Sequence, residues 1–129
     1  AMLPQSDMII SALPGAMGVR RLFGAEAFAE MRRGCLLVNV GRHQVVDETE
    51  LAAALKQGII AGAGLDAVSP RGEIALRTPK NVILSHNMAW NTAESEARLS
   101  GECAGNIIRF FSGRPVNLIR DVSRTAGRW

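Results

Sequence analysis

The sequence has no tyrosine, only 5% aromatic residues and two cysteines. Nucleic-acid surfaces interleave aromatics with a basic face, and this composition does not supply one, so no nucleic acid is expected as a partner. Cys35 and Cys103 lie in apolar stretches with no CxxC or histidine spacing, which excludes a disulfide framework and a structural zinc site and predicts two buried thiols. No apolar run approaches the roughly 18 residues of a membrane helix. The opening AMLPQSDMII lacks the basic region and cleavage site of a secretory signal, so a cytoplasmic location with no membrane partner is the expectation. Internal repeats and low-complexity segments are also missing.

What remains is a chain of 129 residues, 47% hydrophobic and 21% charged, enough for one compact globular domain. The formal charge of +3 is unevenly placed. From Arg109 to the end there are five arginines against one aspartate, while the preceding part holds 10 basic and 11 acidic residues. The body is neutral, and residues 120–129 read as a basic tail beyond a folded region of residues 1–119.

Punctuation divides that region into alternating strands and helices. Met8 to Leu13 is a short apolar run ended by Pro14 and Gly15, and reads as a buried strand. Ala25 to Arg33 reads as a helix with Phe28 and Met31 on one face and Gly34 as its stop. Cys35 to Val40 is a second strand. Asp47 stands three residues before Glu50, the spacing of a capping box, and Val46 and Leu51 hold the positions of a hydrophobic staple, so a helix is predicted over Glu48 to Gln57. Ile59 to Leu65 and Val82 to Leu84 complete the strands. Thr92 can cap a long helix in which Ala97, Ala104, Ile108 and Phe111 recur at helical steps until Gly113 and Pro115. Apolar strands alternating with helices predict an α/β fold, a mainly parallel sheet covered on both faces, with ligands at the carboxyl ends of the strands. The polar residues resume at those ends: Asn39, Arg42 and His43 after the second strand, Asp66 after the third, and Ser85, His86 and Asn87 after the fourth.

The run VNVGRHQVVDETELAAALKQGIIAGAGLDAV and the later NVILSHNMAWNT resemble the carboxyl-terminal half of the NAD-dependent D-2-hydroxyacid dehydrogenases. The pattern there is NxxRGxxVDexaLxxALxxGxIxGAxLDVFxxEP and then NVxxTPHxA, and the similarity extends from about Asp7 to Ile119. The resemblance implies a partial Rossmann-like, doubly wound sheet that binds NAD, with NADP not excluded, and acts on a small 2-hydroxy or 2-oxo acid. It implies that Arg42 grips the substrate carboxylate, a role suited to a guanidinium fork that stays charged at any working pH. It further implies that Asp66 receives the nicotinamide carboxamide, and that Leu13, Pro14, Val40, Gly41 and Arg42 line the nicotinamide side of the cleft. A helix or turn cap is the alternative role for Asp66.

Departures from the pattern bear on the chemistry. Arg71 stands five residues after Asp66, where the family has the glutamate that partners its catalytic histidine, and Glu73 is two residues late. The catalytic histidine position holds Asn87, and His86 precedes it where the family has proline. If the backbone stays extended there, His86 points to the opposite side from Asn87. Asparagine cannot donate a proton near neutral pH, whereas histidine can. His43 replaces the glycine after the arginine and is a second imidazole to consider. No GxGxxG turn occurs; GAMG at Gly15 to Gly18 has the wrong spacing. Two readings follow: a truncated dehydrogenase half, weak or inactive alone, or a non-catalytic remnant acting in binding or self-assembly. Either leaves an open sheet edge and predicts a homo-oligomer.

Overall fold

The computed structural model describes residues 2–13 and 19–118, so Pro14, the GAMG segment and the basic tail lie outside the described residues. The chain divides into two compact units, Ala1–Ala89 and Trp90–Trp129. The first contains β1 (Met8–Ser11), α1 (Ala25–Glu30), β2 (Cys35–Asn39), α2 (Glu48–Lys56), β3 (Ile60–Leu65), α3 (Pro70–Leu76) and β4 (Val82–Leu84), with 3-10 turns at Leu3–Gln5 and His43–Val45. The second contains α4 (Ala93–Phe111).

All strand pairs are parallel, in the order β1-β2-β3-β4. Crossovers of one hand that progress in one direction along a sheet put every helix on the same face. Accordingly α2 packs against β3 and against both α1 and α3. That face forms the core: Ile9, Leu37, Ile60 and Leu65 from the strands meet Phe28, Leu51, Leu55 and Leu76 from the helices. Side chains alternate across a pleated sheet, so the intervening positions share the other face. There Met8 is level with Leu36, and Ile10, Val38, Gly64 and Ile83 form one row across all four strands. The row is open, with Ile10 66% and Ile83 76% exposed. The expected cover on both faces is therefore met on one.

Two helices differ from the sequence reading. α1 stops at Glu30 because Met31 turns to extended backbone and drops into the core, while Gly34, at a φ of 86°, redirects the chain into β2. α3 falls in a stretch to which the pattern assigns no element. Its Ser69 side chain accepts from the Gly72 amide and Pro70 occupies its first turn, a cap-plus-proline start that the sequence does carry. Glu48, the first residue of α2, reaches across to accept hydrogen bonds from the Ser69 amide at 2.7 Å and from the Ser69 hydroxyl. A Cβ at residue 72 would overlap that carboxylate, so glycine there is what lets α2 help to cap α3.

The start of α2 keeps half of the predicted capping box. Asp47 accepts from the Thr49 and Glu50 amides, and Val46 and Leu51 are both buried as a staple requires. Its own amide donates instead to the Phe23 carbonyl at 2.8 Å, beside the Phe23–Val46 bridge, so no return bond from Glu50 is needed. Of the two thiols, Cys35 is buried, and burial raises its pKa, but Cys103 is exposed. The second expected buried thiol is thus corrected: Cys103 sits on α4, which buries no residue. α4 is capped by Thr92 as predicted, while its apolar residues Ile108 and Phe111 stay open to solvent, Phe111 at 84%.

Candidate functional site at the strand ends

The carboxyl ends of β1, β2 and β3 and the segment after β4 are tied into one rim. The Val40 amide donates to the Ser11 carbonyl and the Arg42 amide to the Leu13 carbonyl. This approach is so close that a Cβ at Gly41 would overlap the Leu13 backbone. Asn39, fully buried, fixes the turn from inside: its Oδ1 accepts from the Gly41 amide at 3.2 Å and its Nδ2 donates to the Arg42 carbonyl at 3.1 Å. Arg42 therefore has a pinned backbone, while its side chain is exposed and its guanidinium forms no hydrogen bond or ion pair among the described residues. Leu13 and Val40 leave apolar surface exposed beside it.

Asp66 joins the second half of the rim. Its amide donates to the Asn39 carbonyl at 3.0 Å. Its carboxylate is 4% exposed and accepts from the Ser85 hydroxyl at 2.6 Å, the Met88 amide at 2.8 Å and the Ala89 amide at 2.9 Å. Burial pushes the carboxyl up, but the bonds from Ser85, Ala89 and Met88 outweigh it and leave Asp66 below the usual carboxylate range. The Asn87 amide bonds the Asp66 carbonyl, so three consecutive amides converge on one residue.

That convergence bends the chain. Residues 85–87 are not strand, and Asn87 has a φ of 57°. The opposite-sides expectation for His86 and Asn87, which required extended backbone, fails for that reason, and both side chains are exposed. Arg71 occupies the first turn of α3 and His43 the 3-10 turn after Arg42. Arg77 donates to Glu73 at 2.7 Å, and this hydrogen bond and the Arg77 charge hold Glu73 below its usual value. The structure thus brings Leu13, Val40, Gly41, Arg42 and Asp66 onto one continuous rim. Asn39 and Ser85 are the supporting residues that the sequence marks only as polar strand ends; the signal was their place, level with Ser11 and beside Asp66.

The sequence profile of the D-isomer specific 2-hydroxyacid dehydrogenase, NAD binding domain, matches residues 1–89, the whole first unit. The chain belongs to this family. It is 34% identical over 122 residues to the glycerate dehydrogenase of Methylorubrum extorquens, covering 91% of this chain and 39% of that protein. The glyoxylate reductase of Korarchaeum cryptofilum is 35% identical, with 92% of this chain and 37% of that protein covered. Among solved structures, an acyclic imino acid reductase in complex with NADPH and D-Arg superposes with a TM-score of 0.83 at 28% identity, over 92% of this chain and 38% of that one. A D-lactate dehydrogenase with NAD+ from Lactobacillus jensenii gives 0.81 at 25% identity, over 90% and 40%. The chain therefore spans less than two fifths of the curated relatives it matches first, within the NAD-binding domain. The Rossmann-like α/β reading of the sequence is borne out, and no described helix is long and apolar enough to cross a membrane.

Proposed function

We propose that the rim is the nicotinamide- and carboxylate-facing part of a site for hydride transfer between NAD, or NADP, and a small 2-hydroxy or 2-oxo acid. The observation that carries this reading is Arg42, a cation whose backbone is fixed at both N–H and C=O while its guanidinium is left free at the strand ends. A free fork on a rigid base suits bidentate capture of a carboxylate. Asp66 fits the carboxamide role as far as its bonds allow: an ionised carboxylate offers about four acceptor positions. Three are used by the protein, so one remains. Its other function is the turn cap, and both roles coexist on one carboxylate. Leu13, Val40 and Gly41, with Pro14 beside them in the sequence, supply an apolar ledge for a flat ring.

NAD, when bound, supplies the hydride chemistry; the chain's own residues orient the acid and move its proton. Asn87 is no acid near neutral pH, so His86, the imidazole beside it in the chain, is the group we assign to proton transfer, with His43 second. Efficient catalysis is not expected from these 129 residues alone, because no GxGxxG turn is among them. A second reading, a binding or assembly module without catalysis, is favoured by Asn87 and Arg71 at the two acid–base positions. A homo-oligomer is part of either reading, supported by the exposed apolar residues Ile10, Ile83, Ile107, Phe110 and Phe111. So is a cytoplasmic location, supported by the two free thiols.

The test is an NMR titration of the full chain with NADH and with reduced nicotinamide mononucleotide. Shifts at the amides of Leu13, Val40, Gly41, Arg42 and Asp66, with affinity of about millimolar or weaker, are expected. Shifts that spare those amides would refute the placement.

A further inference from the structure

Ala93, Ala97, Ser100, Ala104, Ile107 and Phe111 recur along α4 at alternating steps of four and three, which sets them on one seam of the helix. All six are exposed. The second unit does not cover this seam itself: beyond Ser112 the chain turns back along the far side of α4, where the Asn117 Nδ2 donates to the Asn106 Oδ1 at 3.1 Å.

The seam is graded in size. Its first half holds alanine and serine, whereas its last part carries Ile107 and Phe111, flanked by the equally open Ile108 and Phe110. Charge is graded too. Glu94 and Glu96 stand in the first turn, Arg109 in the last and Arg114 just after it, and none of the four has an ion pair among the described residues.

These gradients decide how such a helix can meet its own copy. Side by side in the same direction, Phe111 meets Phe111 and Ala97 meets Ala97, so the pair splays at one end while the acids face each other. Reversed about a two-fold axis at Glu102, Phe111 falls opposite Ala93, Ile107 opposite Ala97 and Ala104 opposite Ser100. Each outer layer then joins one large and one small side chain. The reversal also brings the acidic start of one helix beside the basic end of the other and runs the two helix dipoles head to tail.

We propose that α4 pairs antiparallel with α4 of a second copy of this chain, along the seam from Ala93 to Phe111. The pairing rests on the homo-oligomer reading above and is independent of the role given to the Arg42 rim. Cys103 marks its direction. This free, exposed thiol flanks the seam one residue from the axis, so an antiparallel pair holds its two copies close together on one side, whereas a parallel pair sets them on opposite flanks. A single helix pair belongs to the small, transient class of interface, so assembly depends on concentration.

Sedimentation of the full chain over a concentration series, with cross-linking by a short bis-maleimide, tests this. A dimer that cross-links through Cys103 is expected, and Cys103→Ser should abolish the product. Ile107→Lys with Phe111→Lys removes apolar contacts on both copies and should weaken the dimer by about a hundredfold or more, with helix content by circular dichroism unchanged. Ala97→Trp, which overfills the layer opposite Ile107, should weaken it by about tenfold. Ile83→Lys on the open sheet face should leave it intact. A chain that stays monomeric at every concentration overturns the pairing and the homo-oligomer reading together. A dimer that Cys103 does not cross-link, or that ignores the α4 variants and dissociates in Ile83→Lys, overturns the pairing alone.

Discussion

Replacing Asp66 with asparagine isolates what the buried carboxylate does. In wild type the carboxylate receives three donors, from Ser85, Met88 and Ala89. An asparagine keeps one oxygen, which can still accept from Ser85 and Met88, but it turns an NH2 group toward the Ala89 amide. One buried donor pair is then left facing itself, at about 1–3 kcal/mol, and the two surviving bonds lose their charge assistance, so a total of about 2–4 kcal/mol is expected at neutral pH. The sign with pH follows from the depressed carboxyl. Its folded pKa lies below the unfolded value of about 4, so the contribution is fully present above the unfolded pKa and is lost as pH falls through the folded one. Urea unfolding of wild type and Asp66→Asn between pH 3 and 7 should give curves separated above pH 5 and converging in acid. Hydrogen exchange adds local resolution: the Met88 and Ala89 amides should exchange much faster in the variant. A midpoint unchanged at pH 7, or a gap that widens in acid, would refute the reasoning.

Three further outcomes are expected. Gly41→Ala must push Leu13 away from the rim; it should cost about 1–3 kcal/mol in a thermal melt and abolish the NADH-induced amide shifts at Leu13 and Arg42. Glu48→Ala strands the Ser69 amide and hydroxyl at the start of α3 and should destabilise the chain by about 1–2 kcal/mol by urea titration, whereas Glu50→Ala, which makes no such bond, should cost far less. Joined to the remaining part of the Methylorubrum glycerate dehydrogenase, the unmodified chain should oxidise NADH with glyoxylate or hydroxypyruvate about 10²–10⁴-fold more slowly than the parent enzyme, and Asn87→His with Arg71→Glu should recover part of the loss. A fast unmodified hybrid that His86→Ala silences would establish His86 as sufficient.

Strand positions were legible because each strand is an apolar run closed by glycine, proline or a polar cluster, and α2 because Asp47, Val46 and Leu51 mark its start from both sides. α3 was not, since Pro70 and Gly72 read as breakers when taken singly. Only the capping bond from Ser69 and the reach of Glu48 make the same residues a helix start. The open sheet face was illegible for a different reason. A fully apolar strand has the composition of one buried on both sides, and nothing in Met8 to Ser11 or Val82 to Leu84 says which neighbours are present. At the site, Arg42 and Asp66 could be named from pattern, but their support could not. Asn39 holds the Arg42 turn and Ser85 holds Asp66 through contacts set by the parallel register, which brings Asn39 level with Leu65 and so next to the residue that follows it.

The turn around Asp66 also decides how the replacement at Asn87 is to be understood. Had the chain continued as a strand, His86 and Asn87 would lie on opposite faces and only one could serve the rim. Instead the amides of Asn87, Met88 and Ala89 all bond to Asp66, and the chain must curl to deliver them. The left-handed backbone at Asn87 is a product of that curl, and asparagine is among the few residues besides glycine that adopt it readily. Strand parity therefore carries no information about either side chain; the choice between them passes to chemistry, where only an imidazole can hold and release the proton. The Asp66 carboxylate and carbonyl thus set the backbone from which the His86 and Asn87 side chains project, so perturbing Asp66 disturbs its own turn and both of these side chains together.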